Sequence, residues 1–150
     1  FVFENATLKG DDITEKILMM YKKLNRDDIS YLLLPGTILS LYNIVDIDII
    51  FEQLQFPVIA VNSKDSSGLH DTLKHHFPNN FETKIEQYEK LGHRQIMHLK
   101  SKNELYLRMR GCTVEDCKTL LDKITLQGSV PEPLRVSQTL AKTLLKTSLQ

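Results

Sequence analysis

Two short, almost continuously apolar runs constrain the fold of this chain more than any other feature of its sequence. The first spans 29–34 and ends at Pro35-Gly36, and the second spans 58–61 and directly follows Pro57. Short apolar runs bounded by turn residues are typical of strands that are buried on both faces. Because a segment of helical periodicity separates the two runs, the pattern predicts parallel strands joined by a helical crossover.

Helical periodicity and turn residues divide the remaining sequence into further elements. Apolar residues recur at helical spacing after Asp12, Asp46 and Thr113, and each of these residue types favours a helix start. The predicted order is a strand over 1–8, a helix from Asp12, a strand over 29–34, a loop or distorted turn over 37–45, a helix from Asp46, a strand over 58–61, a polar turn over 63–68, helices over 69–77 and 81–91, strands over 95–99 and 105–110, a helix over 113–124 and a last helix over 133–145.

The segment 105–110 carries a period of two, because leucine and methionine alternate there with tyrosine and arginine. This alternation predicts a half-exposed strand, and a turn at 101–103 pairs it with 95–99 as a hairpin. The hairpin makes the predicted sheet mixed rather than wholly parallel. Since the sequence has neither an internal repeat nor a linker, we expect a single α/β domain over 1–150, with helices flanking a mixed sheet.

Composition excludes several classes of protein. A chain that is 41% hydrophobic and 25% charged is neither disordered nor collagen-like. It has no apolar run long enough to span a bilayer, so we expect no membrane partner. The sequence shows no secretory signal pattern, and Cys112 and Cys117 do not match a redox motif. These features predict a cytoplasmic protein with two reduced thiols.

The charges are unevenly distributed although the formal net charge is zero. Residues 1–75 carry 7 basic and 11 acidic side chains, whereas residues 76–150 carry 12 and 8. The segment 90–110 contains six basic residues and a single acid, Glu104. A basic surface beside an acidic site would suit the binding of a polyanion over cations held by the acidic residues. The alternative interpretation is that the two charged regions are simply solvated faces of a neutral protein.

Asp12 and Glu15 are the first candidate site residues, and they allow two interpretations. An aspartate and a glutamate at this spacing satisfy the unpaired N–H groups of a helix start. They also suit a divalent-cation site, because carboxylates at strand ends and helix starts converge in the crevice of an α/β sheet. Asp46 begins the next helix, and a helix cap is again the default interpretation.

The segment 131–135 reads Pro-Glu-Pro-Leu-Arg and has an unusual arginine. Proline is favourable in the first turn of a helix. Arg135, however, lies close to that start, where the helix dipole disfavours a positive charge. We therefore expect Arg135 to pair either with Glu132 or with an acidic site.

Five ordered stretches of the sequence together resemble one protein family. They read Lys-Gly-Asp-Asp-Ile-Thr-Glu at 9–15, Leu-Pro-Gly-Thr and then Tyr-Asn-Ile-Val-Asp within 34–46, Phe-Pro-Val-Ile at 56–59, His-Phe at 76–77 and Pro-Glu-Pro-Leu-Arg at 131–135. Their order covers nearly the whole chain, which makes the set more specific than any one stretch. The chain resembles the archaeal domain-of-unknown-function family 99, also called the endonuclease dU family, a distant relative of endonuclease V.

The resemblance implies a ribonuclease H-like fold and the chemistry of a metal-dependent endonuclease. Proteins of this kind hold Mg²⁺ or Mn²⁺ with carboxylates and hydrolyse a phosphodiester of DNA or RNA. By position in the family pattern, Glu15 and Asp12 are the implied catalytic residues. The implied metal ligands are Glu15, Asp12 and Asp46.

The same resemblance suggests residues that support the site, whereas the basic segment 90–110 suggests residues that contact a nucleic acid. Asn43, Glu132 and Arg135 belong to matching motifs and are expected to support the site. Four basic residues are expected to contact phosphates, which position a nucleic acid rather than specify its sequence: Lys100, Lys102, Arg108 and Arg110.

Two departures from the family pattern change the expected activity. Pro35 stands where the family has an aspartate, and an earlier family strand with paired aspartates is absent from these residues. Both departures remove implied metal ligands. We therefore expect a nuclease-family protein that binds or cleaves nucleic acid with impaired catalysis. The alternative is a non-catalytic binding or scaffold protein on a nuclease fold.

Overall fold

The computed structural model describes residues 1–64 and 69–148. Within these ranges no helix is both long and apolar enough to cross a membrane. The elements in chain order are α1 (Ile13–Leu24), β1 (Leu32–Leu34), β2 (Ile38–Leu39), β3 (Asn43–Ile44), α2 (Ile47–Leu54), β4 (Val58–Asn62), α3 (Leu69–His76), α4 (Phe81–Lys90), β5 (Gln95–His98), β6 (Glu104–Arg110), α5 (Val114–Ile124) and α6 (Glu132–Ser148).

A four-stranded mixed sheet in the order β1-β4-β6-β5 organises the fold. β1 lies parallel to β4, with Leu33 opposite Ile59, whereas β6 is antiparallel to both β4 and β5. The parallel pair is the one predicted from the two apolar runs, and β5 with β6 forms the predicted hairpin. The predicted mixed α/β architecture is therefore confirmed.

Helices cover both faces of this sheet, and β4 contributes side chains to both cores. Val58 and Ala60 pack into a cluster with buried residues of α1 and α2, whereas Ile59 and Val61 pack into a second cluster with α5. Successive residues of a strand point to opposite faces, so a strand between two helix layers must be apolar throughout. This position explains the continuous apolar run at 58–61.

The segment 1–8 is not a strand, so the prediction from its composition is wrong. The Thr7 N–H donates to the Asp12 carboxylate, and the Lys9 N–H donates to the Ser40 carbonyl. A strand requires a neighbouring ladder for its backbone groups. No strand among the described residues supplies that ladder to 1–8, and Thr7 instead bonds to the side chains of Asp12 and Asn43.

The segment 37–45 contains a short antiparallel hairpin of β2 and β3. Ser40, Leu41 and Tyr42 at its tip have φ values of 44°, 56° and 70°. Side chains other than glycine seldom adopt this left-handed region, so contacts from elsewhere must hold the tip. The predicted polar turn at 63–68 lies partly outside the described residues.

Candidate functional site

Asn43, the first residue of β3, joins the two segments that carry most of the family resemblance. Its side chain is completely buried. The Oδ1 atom accepts a hydrogen bond from the Ile13 N–H at 3.2 Å, while Nδ2 donates to Asp12 Oδ1 at 2.7 Å and to the Thr7 carbonyl at 3.0 Å. Asn43 therefore caps the start of α1 from a distant part of the chain.

The Asp12 carboxylate is fully engaged by this arrangement. Besides Asn43, it accepts hydrogen bonds from the Thr7 N–H at 3.1 and 3.2 Å and from Thr7 Oγ1 at 2.9 Å. The hydrogen bond from Asn43, reinforced by those from Thr7 and opposed by desolvation, lowers the pKa of Asp12. Asp12 occupies the N-cap position of α1 but makes no side-chain hydrogen bond to the start of that helix, so the interpretation of its carboxylate as a cap is wrong.

Glu15 lies on the solvent side of α1. The buried residues of the helix are Ile13, Ile17 and Leu18, and Glu15 is exposed. Because each residue turns an α-helix by about 100°, Glu15 projects about 200° from Ile13. Its carboxylate therefore faces away from the core.

Asp46 caps α2, as its sequence position predicted. Its Oδ1 atom accepts from the N–H groups of Asp48 at 3.1 Å and Ile49 at 3.0 Å, and its Oδ2 atom accepts from Lys90 Nζ at 2.7 Å. Desolvation tends to raise the pKa of Asp46, but the hydrogen bonds from Lys90, Ile49 and Asp48 together outweigh it and lower the pKa. The Asp46 N–H in turn donates to Thr14 Oγ1 at 2.9 Å.

The three implied metal ligands therefore do not converge, which corrects the expectation drawn from the resemblance. Asp12 is occupied by Asn43 and Thr7, Asp46 by a helix start and a lysine, and Glu15 faces solvent. Across the ranges that the structure describes, no group of three His, Cys, Asp or Glu residues is placed to hold a metal ion. The residues present consequently do not fit a two-metal centre.

Lys84 of α4 is a central residue of this region that the sequence reasoning missed. Only 1% of it is exposed, and its Nζ atom donates to the Gly10 carbonyl at 2.9 Å and to the Tyr42 carbonyl at 3.4 Å. It also forms an ion pair with Asp11 and lies 5.0 Å from the centroid of the Phe77 ring. The available signal was a lysine on the apolar stripe of an amphipathic helix.

Pro35 lies beside a crevice at the carboxyl ends of the parallel strands β1 and β4. This crevice has a volume of about 430 Å³, and its lining includes Asn62, Lys64 and Pro131 beside Pro35. Ligands of open α/β sheets commonly bind at this edge. Pro35, which has no ligand atom in its side chain, and Lys64 thus line the same crevice.

The four predicted phosphate contacts do not form one patch. Lys100 and Lys102 are exposed in the turn between β5 and β6, whereas Arg110 lies at the opposite end of β6. A strand of this length separates its ends by about 20 Å. Arg110 also forms an ion pair with Asp48, and its NH1 group donates to the Met109 carbonyl at 2.9 Å.

Arg108 is buried, so the prediction of a half-exposed strand is wrong at this position. Only 7% of the residue is exposed. Its Nε atom donates to the Gly92 carbonyl at 3.1 Å, and NH1 donates to Thr37 Oγ1 at 3.0 Å. Burial and the nearby charge of Arg94 lower the pKa of Arg108. The loop between α4 and β5 covers this arginine, which no local pattern in β6 indicates.

Arg135 forms an ion pair with Glu132, which is one of the two partners expected for it. Arg135 Nε lies 3.2 Å from Glu132 Oε2. The arginine NH2 group donates to the carbonyls of Gln127 at 2.9 Å and Val130 at 3.2 Å. Arg135 therefore closes the loop that precedes α6.

A family model described as endonuclease dU matches residues 1–145. The chain belongs to the endonuclease dU family. The predicted family resemblance is thereby confirmed. Three contacts of this endonuclease dU family chain are made by residues of the stretches that carry the family resemblance. They are the Asp12–Asn43 hydrogen bond, the Asp46 cap and the Glu132–Arg135 ion pair.

The curated relatives of this endonuclease dU chain are archaeal UPF0215 proteins. The Pyrobaculum aerophilum protein is 30% identical over 139 residues, covering 93% of this chain and 74% of the relative. The Methanosarcina barkeri protein is 32% identical over 140 residues, covering 90% and 70%. A solved structure of a protein of unknown function from Archaeoglobus fulgidus has a TM-score of 0.79 at 22% identity, covering 95% of this chain and 80% of that one. This last likeness supports the fold alone.

Proposed function

We propose that this endonuclease dU family chain binds nucleic acid and that its own residues do not form a hydrolytic metal centre. The observation that carries the proposal is the engagement of Asp12, whose carboxylate oxygens accept hydrogen bonds from Asn43 and Thr7. A metal-activated hydrolysis requires several convergent oxygen ligands with lone pairs available to the ion. Family membership supports nucleic acid as the ligand class.

The positions next to the carboxylates are taken by lysines. Lys84 pairs with Asp11, and Lys90 pairs with Asp46 at 2.7 Å. An ammonium group beside a carboxylate neutralises the charge that would attract a divalent cation, and it also repels the cation directly. Together with Pro35 and Lys64 at the strand ends, these contacts favour binding without hydrolysis.

The test measures binding and cleavage on the same preparation of protein. Labelled single-stranded DNA and RNA are titrated at low and at physiological salt, and the same oligonucleotides are incubated with Mg²⁺, with Mn²⁺ and with chelator. We expect binding that weakens as salt rises, because phosphate contacts release counterions. We expect equal, background cleavage with metal and with chelator.

Glu15→Gln is the matched variant for the cleavage measurement. Because Glu15 faces solvent, the variant should match the parent chain in both assays. Metal-dependent cleavage that disappears in Glu15→Gln would overturn the non-catalytic part of the proposal. Absence of binding to either nucleic acid at low salt would overturn the binding part and favour the scaffold alternative.

A further inference from the structure

A cleft beside Arg108 is lined by none of the residues Asp12, Asn43 and Asp46. It opens on the sheet face that points away from α5, between β5, β6 and the loop that follows α4. Its volume is about 500 Å³, which is large enough for a small organic ligand. The residues that line it include Tyr88, His93, Arg94, Ile96, Tyr106 and Arg108.

Arg108 places a buried positive charge at this cleft. The Gly92 carbonyl and the Thr37 hydroxyl, which accept hydrogen bonds from Nε and NH1, are both neutral and do not cancel its charge. A second guanidinium group, that of Arg94, also lines the cleft and lowers the pKa of Arg108. The buried charge of Arg108 is costly because the acceptors that contact it are neutral, and an anion in the cleft would reduce that cost.

Aromatic rings form the apolar part of the lining. The Arg108 guanidinium lies 5.9 Å from the centroid of the Tyr88 ring, and Tyr106 lies directly opposite Ile96 across the β5–β6 pair. Opposite residues in an antiparallel pair project their side chains to the same face of the sheet. Tyrosine rings beside guanidinium groups are the combination that proteins use to stack bases and hold phosphates of single-stranded nucleic acid.

The one acidic residue in the described lining is Glu89, and it lies at the rim. Its Oε1 atom is 3.2 Å from His70 Nε2, and both side chains are more than half exposed. Its charge is therefore screened by solvent and is directed towards the histidine. The other described residues of the lining include two arginines and two tyrosines.

We propose that this cleft binds one nucleotide unit, with the phosphate at Arg108 and Arg94 and the base against Tyr88 and Tyr106. The inference rests on the proposed function when the nucleotide belongs to a strand of nucleic acid. It also adds to that function, because it identifies the surface that makes the contact. The shape and chemistry of the cleft favour an unstacked, single-stranded nucleotide over a duplex, whose bases are not available for stacking.

Ile96 offers a test that leaves the buried network intact. It is 60% exposed on the edge strand β5, so a polar residue is tolerated there, whereas truncation of Arg108 would leave buried groups unpaired. Ile96→Glu adds a negative charge at the cleft, and Ile96→Lys adds a positive one. Leu126→Glu is the matched control, because Leu126 is 77% exposed and is not among the residues lining the cleft.

Three ligands are titrated against the four proteins: labelled single-stranded DNA, adenosine monophosphate and inorganic phosphate. Relative to the parent chain and to Leu126→Glu, we expect Ile96→Glu to weaken DNA and adenosine monophosphate binding about threefold or more, and Ile96→Lys to strengthen both. We also expect adenosine monophosphate to bind more tightly than inorganic phosphate, because only the nucleotide has a base to stack.

The outcomes separate this inference from the proposed function. If DNA binds but Ile96→Glu behaves like Leu126→Glu, nucleotide binding in the cleft is overturned and the proposed function stands. If DNA does not bind but adenosine monophosphate does, with sensitivity to Ile96→Glu, the cleft stands and the proposed function is overturned. Equal affinity for inorganic phosphate and the nucleotide overturns the role of the tyrosines. Absence of binding to all three ligands overturns both proposals.

Discussion

Replacement of Asn43 by alanine tests whether this buried amide holds the two family motifs together. The substitution removes the acceptor of the Ile13 N–H and the donor to the Thr7 carbonyl and Asp12. A buried N–H left without a partner costs about 1–3 kcal/mol, and each further hydrogen bond contributes about 1 kcal/mol. We therefore expect a loss of about 3 kcal/mol in the free energy of unfolding, which lowers the midpoint of thermal unfolding by about 6–12 °C.

Asn43→Asp tests the same contact more sharply, because it should reverse the direction in which pH changes the stability contributed at this contact. In the parent chain the pKa of Asp12 is lowered, mainly by the hydrogen bond from Asn43. The stability that Asp12 confers is therefore complete above its unfolded pKa of about 4 and is lost as the pH falls through its lower folded pKa.

The variant places a second carboxylate where the amide lay 2.7 Å from Asp12 Oδ1. Two carboxylates at such a separation raise one of the two pKa values. The stability linked to this raised pKa is present below the unfolded pKa and is lost as the pH rises through the folded one. We therefore expect the stability difference between parent and variant to shrink as the pH falls from neutral towards about 4.

Urea unfolding followed by circular dichroism at neutral and acidic pH measures both effects. Asn5→Asp is the matched control, because Asn5 is exposed in the same N-terminal segment and undergoes the same change of charge. The reasoning is refuted if Asn43→Ala unfolds within about 0.5 kcal/mol of the parent, the range typical of neutral surface substitutions. It is also refuted if Asn43→Asp and Asn5→Asp show the same dependence on pH.

Three further substitutions or modifications address other contacts. Asp46→Ala should lower the free energy of unfolding by about 1 kcal/mol. Asp46→Asn should lower it much less, because asparagine still caps α2. Equal losses of stability for the two variants in urea unfolding would contradict the capping role. Lys84→Met should cost about 1–3 kcal/mol, because the Gly10 carbonyl loses its buried donor, while the exposed control Lys90→Met changes the urea midpoint little. Burial, with the neighbouring Cys112, raises the pKa of Cys117 to about 12, so iodoacetamide should leave Cys117 unmodified in the folded protein and modify it in urea. Rapid labelling of Cys117 in the folded state, detected by mass spectrometry, would contradict its burial.

Local sequence patterns predicted the helix starts and the pairing of the main strands well. The cap at Asp46, the cap at Thr113 and the hairpin of β5 with β6 all follow from residues close to one another in the chain. The strand predicted at 1–8 is wrong because a strand also requires a neighbouring strand, which its own residues do not specify. The candidate site was less predictable, since its contacts connect segments far apart in sequence.

The sequence by itself determined the alternation of strands and helices, the parallel pair and the family, because periodicity and ordered motifs are local properties that survive without knowledge of contacts. Only the tertiary structure decided what the polar side chains do. Asn43 caps a helix 30 residues away, Lys84 holds Asp11 from 73 residues away, and Arg108 meets Thr37 across 71 residues. A buried polar group must find partners wherever packing brings them. Packing therefore engages the carboxylates of Asp12 and Asp46 in hydrogen bonds, and it places Arg108 in the lining of a cleft beside Tyr88 and Tyr106.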